Sequence, residues 1–305
     1  MKRFIGLLIF APALLTAANP FAGRWDMTVT TPNSTYPGWM ELVEKDGKPQ
    51  VRVQPRAGSV HPVSGVRMEG SHLILVVSPA EGNRPESTWD LTASGDHLTG
   101  TVKRGDTVAG QLAGVRAPAL HRPEPKAWTN PEPLFDGKDL TGWEPDNPAN
   151  NHWVARDGAL LNETKGANLK STRTFDDFKL HIEFNCPDQG NSGIYLRGRY
   201  EVQVEYEPAG TEDNYHSMGA IYGMVPTTAD VPRKPGQWES FDITLVGRTV
   251  TVVRDGATII DHQEIAGITG GALDSNEGAP GPLYFQGDHT GGMKYRNITI
   301  SVPKR

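Results

Sequence analysis

Residues 192–206 have the sequence SGIYLRGRYEVQVEY, in which small or apolar residues at even positions alternate with polar residues at odd positions from 197 onward. Successive side chains of a β-strand point to opposite faces, so this alternation predicts an extended strand with one apolar and one polar face. A bulge at Gly198 would change the phase of the first half. The polar face then comprises Arg197, Arg199, Glu201, Gln203 and Glu205.

This polar face has two possible interpretations. Strands of an antiparallel sheet commonly expose one face to water, which would make these side chains a solvated surface. Residues two apart on one face stand about 6.6–6.8 Å apart, which is the span of a sugar ring. Glu201 and Glu205 would lie about 13 Å apart, whereas the carboxylate pair of a glycosidase needs roughly 5–5.5 Å or 6.5–9.5 Å. The face is therefore a candidate sugar-binding surface without the ordinary hydrolytic pair.

Residues 19–116, on the amino-terminal side, contain eight short β-type runs separated by Gly-containing turns. Their spacing of about ten residues leaves no room for helices and predicts a small antiparallel β-barrel or meander. The predicted strands are 24–31, 39–44, 50–54, 65–69, 72–78, 88–93, 97–103 and 107–115.

Residues 117–133 contain five prolines, which predicts a semi-rigid linker. A second domain then begins at residue 134 and continues to 305. It carries about eleven predicted strands without βαβ alternation, among them 193–204 and 220–224, a pattern that predicts a two-sheet jelly-roll sandwich. The predicted fold class is thus all-β, with a carboxy-terminal jelly roll preceded by the barrel or meander.

The amino terminus predicts export. Residues 1–18 begin with a Met-Lys-Arg start, continue with the apolar run 4–15 and end in Thr-Ala-Ala, as a secretory signal peptide does. A buried amino-terminal helix is the alternative. No later stretch has the roughly 20 apolar residues of a membrane span, and the single cysteine, Cys186, is too far from the cleavage site to take a lipid anchor. We expect a soluble periplasmic or secreted protein.

The charge pattern argues against a nucleic-acid partner. The chain has 30 basic and 36 acidic residues and a formal net charge of −6, without the clustered Lys and Arg that binding to a polyanion requires. Motifs for Zn²⁺, Ca²⁺ and nucleotide sites are also missing from the sequence. Oligomeric state is not indicated by any pattern.

A second polar cluster ends a predicted strand at residues 281–289, GPLYFQGDH. Gly287 lets the backbone turn, which would leave Asp288 and His289 projecting from the rim beside Gln286. Histidine exchanges protons readily near neutral pH, so His289 is a candidate base; an ordinary surface turn is the alternative. His216, in a polar loop, is a lesser candidate for substrate binding.

Several motifs between residues 134 and 302 resemble one family. The segment LFDGKDLTGW at 134–143, NSGIYLRGRYEVQV at 191–204, GAIYG at 219–223 and the 281–289 segment are similar to motifs of the 3-keto-disaccharide hydrolase domain. The resemblance implies a fold like the concanavalin A-type lectins and glucanases. It also implies cleavage of glycosides whose sugar carries a ketone at C3, with an oligosaccharide or glycoside as substrate.

The implied chemistry suits the unusual spacing of the carboxylates. A C3 ketone acidifies the C2 hydrogen, so a base can remove it and the resulting enolate can expel the group at C1, with or without later addition of water. On this hypothesis His289 is the base, and Glu201 is an alternative base, an acid or a metal ligand. Substrate-binding residues would be Arg197, Gln203, Gln286, Asp288 and His216.

Two alternatives stay open at this point. Some members of the family use a divalent cation, for which Glu201, Asp288 and His289 would supply oxygen and nitrogen ligands; the sequence itself assigns no metal site. The same sandwich also serves lectins, since a fold does not fix a function. A non-catalytic carbohydrate-binding module is therefore the alternative to an enzyme acting on 3-keto-sugars.

Overall fold

A computed structural model describes residues 19–79, 85–211 and 213–304. The signal peptide predicted for residues 1–18 lies outside them. In the described part of the chain, no helix has the length and apolar character needed to cross a membrane.

Within the described part of residues 19–116, nine antiparallel strands form one sheet in the spatial order β4-β3-β2-β1-β9-β8-β7-β6-β5. The eight predicted strands are all present, and the short β4 is the addition. The strands are β1 Gly23–Thr31, β2 Ser34–Lys45, β3 Lys48–Gln54, β4 His61–Pro62, β5 Gly65–Glu69, β6 His72–Val77, β7 Ser87–Ser94, β8 His97–Arg104 and β9 Thr107–Arg116.

The two ends of this sheet meet, so it curls into a barrel. The amide of Val63 donates to the carbonyl of Val51 on β3 at 3.0 Å, and the amide of Ser64 donates to Val76 on β6 at 2.9 Å. Alternate residues of each strand point inward, and they form one apolar core that includes Trp25. Of the two predicted alternatives, the barrel is the one observed.

The remaining described strands form two further sheets. In order along the chain they are β10 Glu132–Pro133, β11 Trp143–Pro145, β12 Trp153–Arg156, β13 Ala159–Asn162, β14 Leu169–Phe175, β15 Phe178–Asn185, β16 Asn191–Leu196, β17 Tyr200–Glu205, β18 Trp238–Val246, β19 Thr249–Arg254, β20 Ala257–Glu264, β21 Gly281–Phe285 and β22 Met293–Ser301, with a single 3-10 turn at Pro148–Asn150. The larger sheet has the order β12-β13-β22-β15-β18-β19-β20, with β10 paired to β22; the smaller has the order β11-β14-β21-β16-β17.

The two sheets pack face to face through aromatic side chains. Phe285 of the smaller sheet stacks on Tyr295 of the larger with ring centroids 4.7 Å apart, and Trp153 stacks on the same tyrosine at 6.1 Å. Cys186 lies in this core, where burial raises the pKa of its thiol to about 12. The predicted jelly-roll sandwich is confirmed.

Three details differ from the sequence-based expectations. Residues 193–204 form a hairpin of β16 and β17 instead of a continuous strand, because Arg197 and Gly198 adopt positive φ. Residues 220–224 form a turn held by isolated bridges at Ile221 instead of a strand. The end of the predicted linker, Glu132–Pro133, pairs with β22.

A buried pair of acids joins the barrel to the sandwich. Asp26 on β1 lies beside Glu277, which accepts hydrogen bonds from Arg248 at 2.9 and 3.1 Å and from the Tyr200 hydroxyl at 2.5 Å. Burial, and then the charge of Glu277, raises the pKa of Asp26 far above its ordinary value of 3.8. Asp26 is therefore protonated at neutral pH, and its carboxyl acts as a neutral hydrogen-bonding group.

Asp26 should make the protein less stable as pH rises. Since the folded protein holds this proton and the unfolded chain loses it above its ordinary pKa, the free energy of unfolding falls with increasing pH over this range. Asp26→Asn keeps a neutral polar group there. We expect it to raise the free energy of unfolding at pH 8 by at least about 1 kcal/mol, the equivalent of roughly one unit of pKa shift, and to flatten the pH dependence.

Denaturant unfolding at pH 5 and pH 8 measures this effect, and the gain should shrink at pH 5. Asp106→Asn, in the exposed turn between β8 and β9, is the matched control and should leave the pH dependence as in the wild type. An Asp26→Asn variant with the wild-type slope would contradict the assignment of the proton.

Candidate functional site

The hairpin of β16 and β17 sets the floor of a pocket. Tyr195 pairs with Glu201, Gly193 with Gln203, and Asn191 with Glu205. Directly paired residues of an antiparallel ladder project to the same face, so the odd-numbered residues of both strands lie on one side. The even-numbered residues fill the sandwich core. The alternation of side chains between the two faces thus continues across the turn. The single predicted strand is observed as two paired strands.

Arg197 does not reach this face, which corrects its predicted role in substrate binding. It has φ of 54° and is followed by Gly198 with φ of 68°, so the chain reverses direction at this point. Its side chain is fully buried and donates to Asp176 at 3.1 Å and to the carbonyl of Gly247 at 2.6 Å. Arg197 therefore holds the turn in place.

The pocket has a volume of about 460 Å³, which is within the range of sites for small ligands. It gathers residues from five separate segments of the chain. Six of the seven predicted site residues line it: Glu201, Gln203, His216, Gln286, Asp288 and His289. Its other lining residues include Ala57, Gly58, Asn191, Tyr195, Glu205, Tyr222, Gly270 and Gly271.

Glu201 is the buried acid of the pocket. Its side chain lies over Gly193, where a Cβ atom would stand 2.1 Å from the Glu201 Oε1 atom. The side chain is only 4% exposed. The pKa of this carboxyl is raised to about 8, chiefly by burial and to a smaller extent by the charges of Glu205 and Asp288, against a lowering effect of the hydrogen bond with Tyr195. At neutral pH Glu201 thus carries a proton that it can donate.

His289 and Asp288 form an exposed pair that lines the same pocket. The Nδ1 atom of His289 lies 2.8 Å from the Asp288 carboxylate, and both side chains are about half exposed, at 47% and 51%. The hydrogen bond from His289 lowers the pKa of Asp288. An ionised Asp288 accepts the Nδ1 proton, which leaves Nε2 of the imidazole as the nitrogen that can accept another.

Two amide oxygens in the pocket have no protein partner among the described residues. Gln203 donates from Nε2 to the Glu205 carboxylate at 2.7 Å, but its buried Oε1 accepts no hydrogen bond, and the same holds for Oε1 of Gln286. Buried polar atoms are rarely left unsatisfied in proteins. These two acceptors are suited to the hydroxyl groups of a ligand.

His216 is held from both sides at the third edge of the pocket. Its Nδ1 atom lies 2.7 Å from Asp213, and its Nε2 atom lies 2.5 Å from the hydroxyl of Ser59 in the barrel. The ring packs edge-on against Tyr222, with centroids 5.0 Å apart. The edge of the imidazole is therefore fixed where it meets the pocket.

Tyr195 and Tyr222 were not selected from the sequence. Tyr195 is fully buried, its hydroxyl donates to the carbonyl of Gly270 at 2.9 Å, and burial and the neighbouring Glu201 raise its pKa well above the ordinary value. Its odd number places Tyr195 on the same face as Glu201 and Gln203, which is a signal that could have identified it. Tyr222 lies in the turn at residues 220–224, for which the sequence predicts a strand, so no periodicity identifies it.

A divalent cation does not fit the observed arrangement. Glu201, Asp288 and His289 line one pocket, but among the described residues no three His, Cys, Asp or Glu side chains converge as a set of metal ligands. The Nδ1 atom of His289 is used by Asp288.

A larger cavity of about 630 Å³ adjoins this pocket and shares Glu205 and Glu207 with it. Arg233, Arg254 and residues 227–232 form its far side. The two cavities together could accommodate a ligand of more than one ring.

Several solved structures are similar to part of this chain. A crystal structure of a proposed glycosyl hydrolase from Parabacteroides distasonis is 29% identical, covers 59% of this chain and 92% of that one, and has a TM-score of 0.48. A second from the same organism is 24% identical, covers 57% and 98%, and has a TM-score of 0.44. The carbohydrate-binding module CBM66 from Bacillus subtilis is 14% identical, covers 53% and 97%, and has a TM-score of 0.35.

No curated protein matches the chain. The family described as the 3-keto-alpha-glucoside-1,2-lyase-like domain matches residues 130–301, which include every residue of the pocket except those contributed by the barrel. As this match covers more than half of the 305 residues, the protein belongs to that family and is carbohydrate-active.

Proposed function

We propose that the protein is an exported enzyme that cleaves the glycosidic bond of 3-keto-glycosides by removing the C2 proton and eliminating the group at C1. The observation that carries this proposal is the pairing, in one pocket, of a protonated buried carboxyl, Glu201, with an aspartate-oriented imidazole, His289. Family membership supports the substrate class. The pattern of residues 1–18 supports export.

The different surroundings of the two groups assign their roles. His289, half exposed and oriented by Asp288, has Nε2 available to accept a proton. Glu201 is buried, and its raised pKa keeps it protonated near neutral pH. Environments that separate two titratable groups in this way define an acid and a base. His289 is thus the base and Glu201 the acid.

The reaction proceeds in two steps, removal of the C2 proton and elimination of the group at C1. Nε2 of His289 takes the proton from C2, the electron pair of that C–H bond forms a C2–C3 double bond, and the π electrons of the ketone move onto the C3 oxygen to give an enolate. The enolate then reforms the ketone, a C1–C2 double bond forms, and the C1–O bond breaks with its electrons on the departing oxygen. Glu201 protonates that oxygen. Water can later add across the double bond, which gives the 3-keto-monosaccharide.

The unsatisfied amide oxygens fit the substrate in this mechanism. Oε1 of Gln203 and Oε1 of Gln286 would accept hydrogen bonds from sugar hydroxyls. The adjoining 630 Å³ cavity would hold the second ring. Hydrolysis by two carboxylates is less well supported, because Glu201 and Glu205 are separated by four residues of extended β17, about 13 Å by strand geometry.

Turnover of a matched pair of substrates tests the function. We expect the purified protein to convert a 3-keto-disaccharide to a 3-keto-glycal or 3-keto-monosaccharide, and to leave the unoxidised disaccharide intact because its C2 hydrogen is not acidic. In heavy-oxygen water the label should enter C1 of a hydrated product. Equal cleavage of both disaccharides would refute the elimination route, and binding without turnover would favour a lectin-like module.

Replacing the base should nearly abolish activity. We expect His289→Ala to lower kcat by about 10²–10⁴-fold, the usual contribution of a general base, and a C2-deuterated substrate should react more slowly with the wild type. His72→Ala is the matched control, since His72 is also paired with an aspartate and 48% exposed but lies on the barrel outside the pocket. Similar kcat values for the wild type and His289→Ala would remove His289 from the mechanism.

Replacing Glu201 should lower kcat by an amount that depends on the leaving group of the substrate. Glu201 loses its proton as pH rises through about 8, so the activity of the wild type should decline above that pH. Glu201→Gln cannot donate a proton, and we expect kcat to fall about 10²-fold or more with a sugar leaving group. With a nitrophenyl leaving group, which departs without protonation, the loss should be much smaller.

Glu205→Gln is the comparison for this experiment, because Glu205 lines the same pocket on the same strand. Its pH profile should keep a decline, shifted to lower pH because the Glu205 charge that raises the pKa of Glu201 is removed. If Glu201→Gln kept that decline, or lost activity equally with both leaving groups, Glu201 would not be the acid.

A further inference from the structure

The family match begins at residue 130, so it assigns no role to the barrel. Yet Ala57 and Gly58 of the barrel line the same pocket as Glu201 and His289. These residues belong to the loop 55–60 between β3 and β4, which we call the barrel loop. One wall of the pocket is thus built from a segment about 140 residues away from the floor.

A buried amide fixes the shape of the barrel loop. The side chain of Gln54 is 1% exposed, and its Nε2 atom donates to the carbonyls of Pro55 and Gly58, both at 2.9 Å. Gly58 has φ of 76°, a conformation that glycine adopts without strain. The loop is therefore held in one conformation from within the barrel.

The loop also packs closely against the sandwich. A Cβ atom at Gly270 would stand 2.4 Å from the carbonyl oxygen of Gly58, and one at Gly223 would stand 2.7 Å from Cβ of Ser59. Next to this contact, Trp39 of β2 is fully buried against Ile268. Backbone-to-backbone contact of this kind leaves no room for the loop to move independently of the pocket.

The hydroxyl of Ser59 completes the hydrogen bonding of His216. Because the Asp213 carboxylate only accepts hydrogen bonds, Nδ1 of His216 carries a proton, and in the neutral ring Nε2 accepts from Ser59. Asp213 thus sets which tautomer is present, and the hydrogen bond from Ser59 follows from it. The barrel thereby fixes the orientation of an imidazole that faces the pocket.

We propose that the barrel is a structural part of the substrate site: its loop 55–60 forms the wall that limits the ligand, and Ser59 is a positioning residue that acts through His216. This proposal rests on the proposed function only for the identity of the substrate. The barrel residues that make the supporting contacts lie outside the part of the chain that the family match covers.

Ser59→Ala tests the positioning role. We expect KM for the 3-keto-disaccharide to rise about tenfold, the loss of roughly one hydrogen bond's worth of binding, with kcat changed less than threefold. Ser94→Ala, at the exposed end of β7 outside the pocket, should behave as the wild type. If Ser59 acts through His216, the double variant Ser59→Ala/His216→Ala should be no worse than His216→Ala alone.

A spectroscopic measurement separates this role from the choice of substrate. The ¹⁵N shift of Nε2 in His216 should change in Ser59→Ala and stay unchanged in Ser94→Ala, whether or not the substrate is a 3-keto-sugar. An unchanged Nε2 shift, or additive losses in the double variant, would overturn the positioning role. Covalent labelling of Ser59 by a fluorophosphonate would also overturn it, because the serine would then be a nucleophile.

Ala57→Trp tests the wall. Ala57 is exposed and lines the pocket, so the larger side chain should raise KM for a disaccharide at least fivefold more than KM for a small methyl 3-keto-glycoside. Ala127→Trp, at an exposed position of the linker, is the matched control and should leave both KM values as in the wild type. Equal KM values for the disaccharide in the wild type, Ala57→Trp and Ala127→Trp would refute the role of loop 55–60 as a wall of the pocket. Absence of turnover by the wild type would instead refute the proposed function.

Discussion

The guanidinium of Arg197 is completely buried where β16 turns into β17, and it donates to Asp176, the Tyr200 hydroxyl and the carbonyl of Gly247. These hydrogen bonds stabilise a turn in which residues 197 and 198 both have positive φ. Since Leu196 then pairs with Tyr200, the odd residues of both strands share a face. A turn longer or shorter by one residue would rotate Glu201 into the apolar core.

Burial gives the carboxyl groups of Glu201 and Asp288 different protonation states. Glu201 is buried over Gly193, so it keeps its proton, whereas Asp288 at the rim stays ionised through its hydrogen bond with His289. These two carboxyl groups therefore differ in their exposure to water more than in their chemistry. This arrangement is consistent with an elimination, which needs one proton removed and one delivered.

Periodicity predicted the parts of this structure that local sequence determines. The alternation after residue 200 identified Glu201 and Gln203, and the Gly287 turn identified Asp288 and His289, because each signal lies within a few residues of the group concerned. Arg197 was misplaced, since the positive φ at 197 depends on Asp176 and Gly247, which are distant in sequence. The contact of Ser59 with His216 spans 157 residues and had no sequence signal.

Because the pocket wall and the pocket floor come from separate parts of the chain, they can vary independently during evolution. Loop 55–60 joins two strands of a barrel whose own core does not depend on that loop. Insertions or exchanges there would change which glycosides are admitted, while the acid and base on the sandwich stay intact. Diversification of substrate preference in relatives with a similar barrel would then be concentrated in this loop.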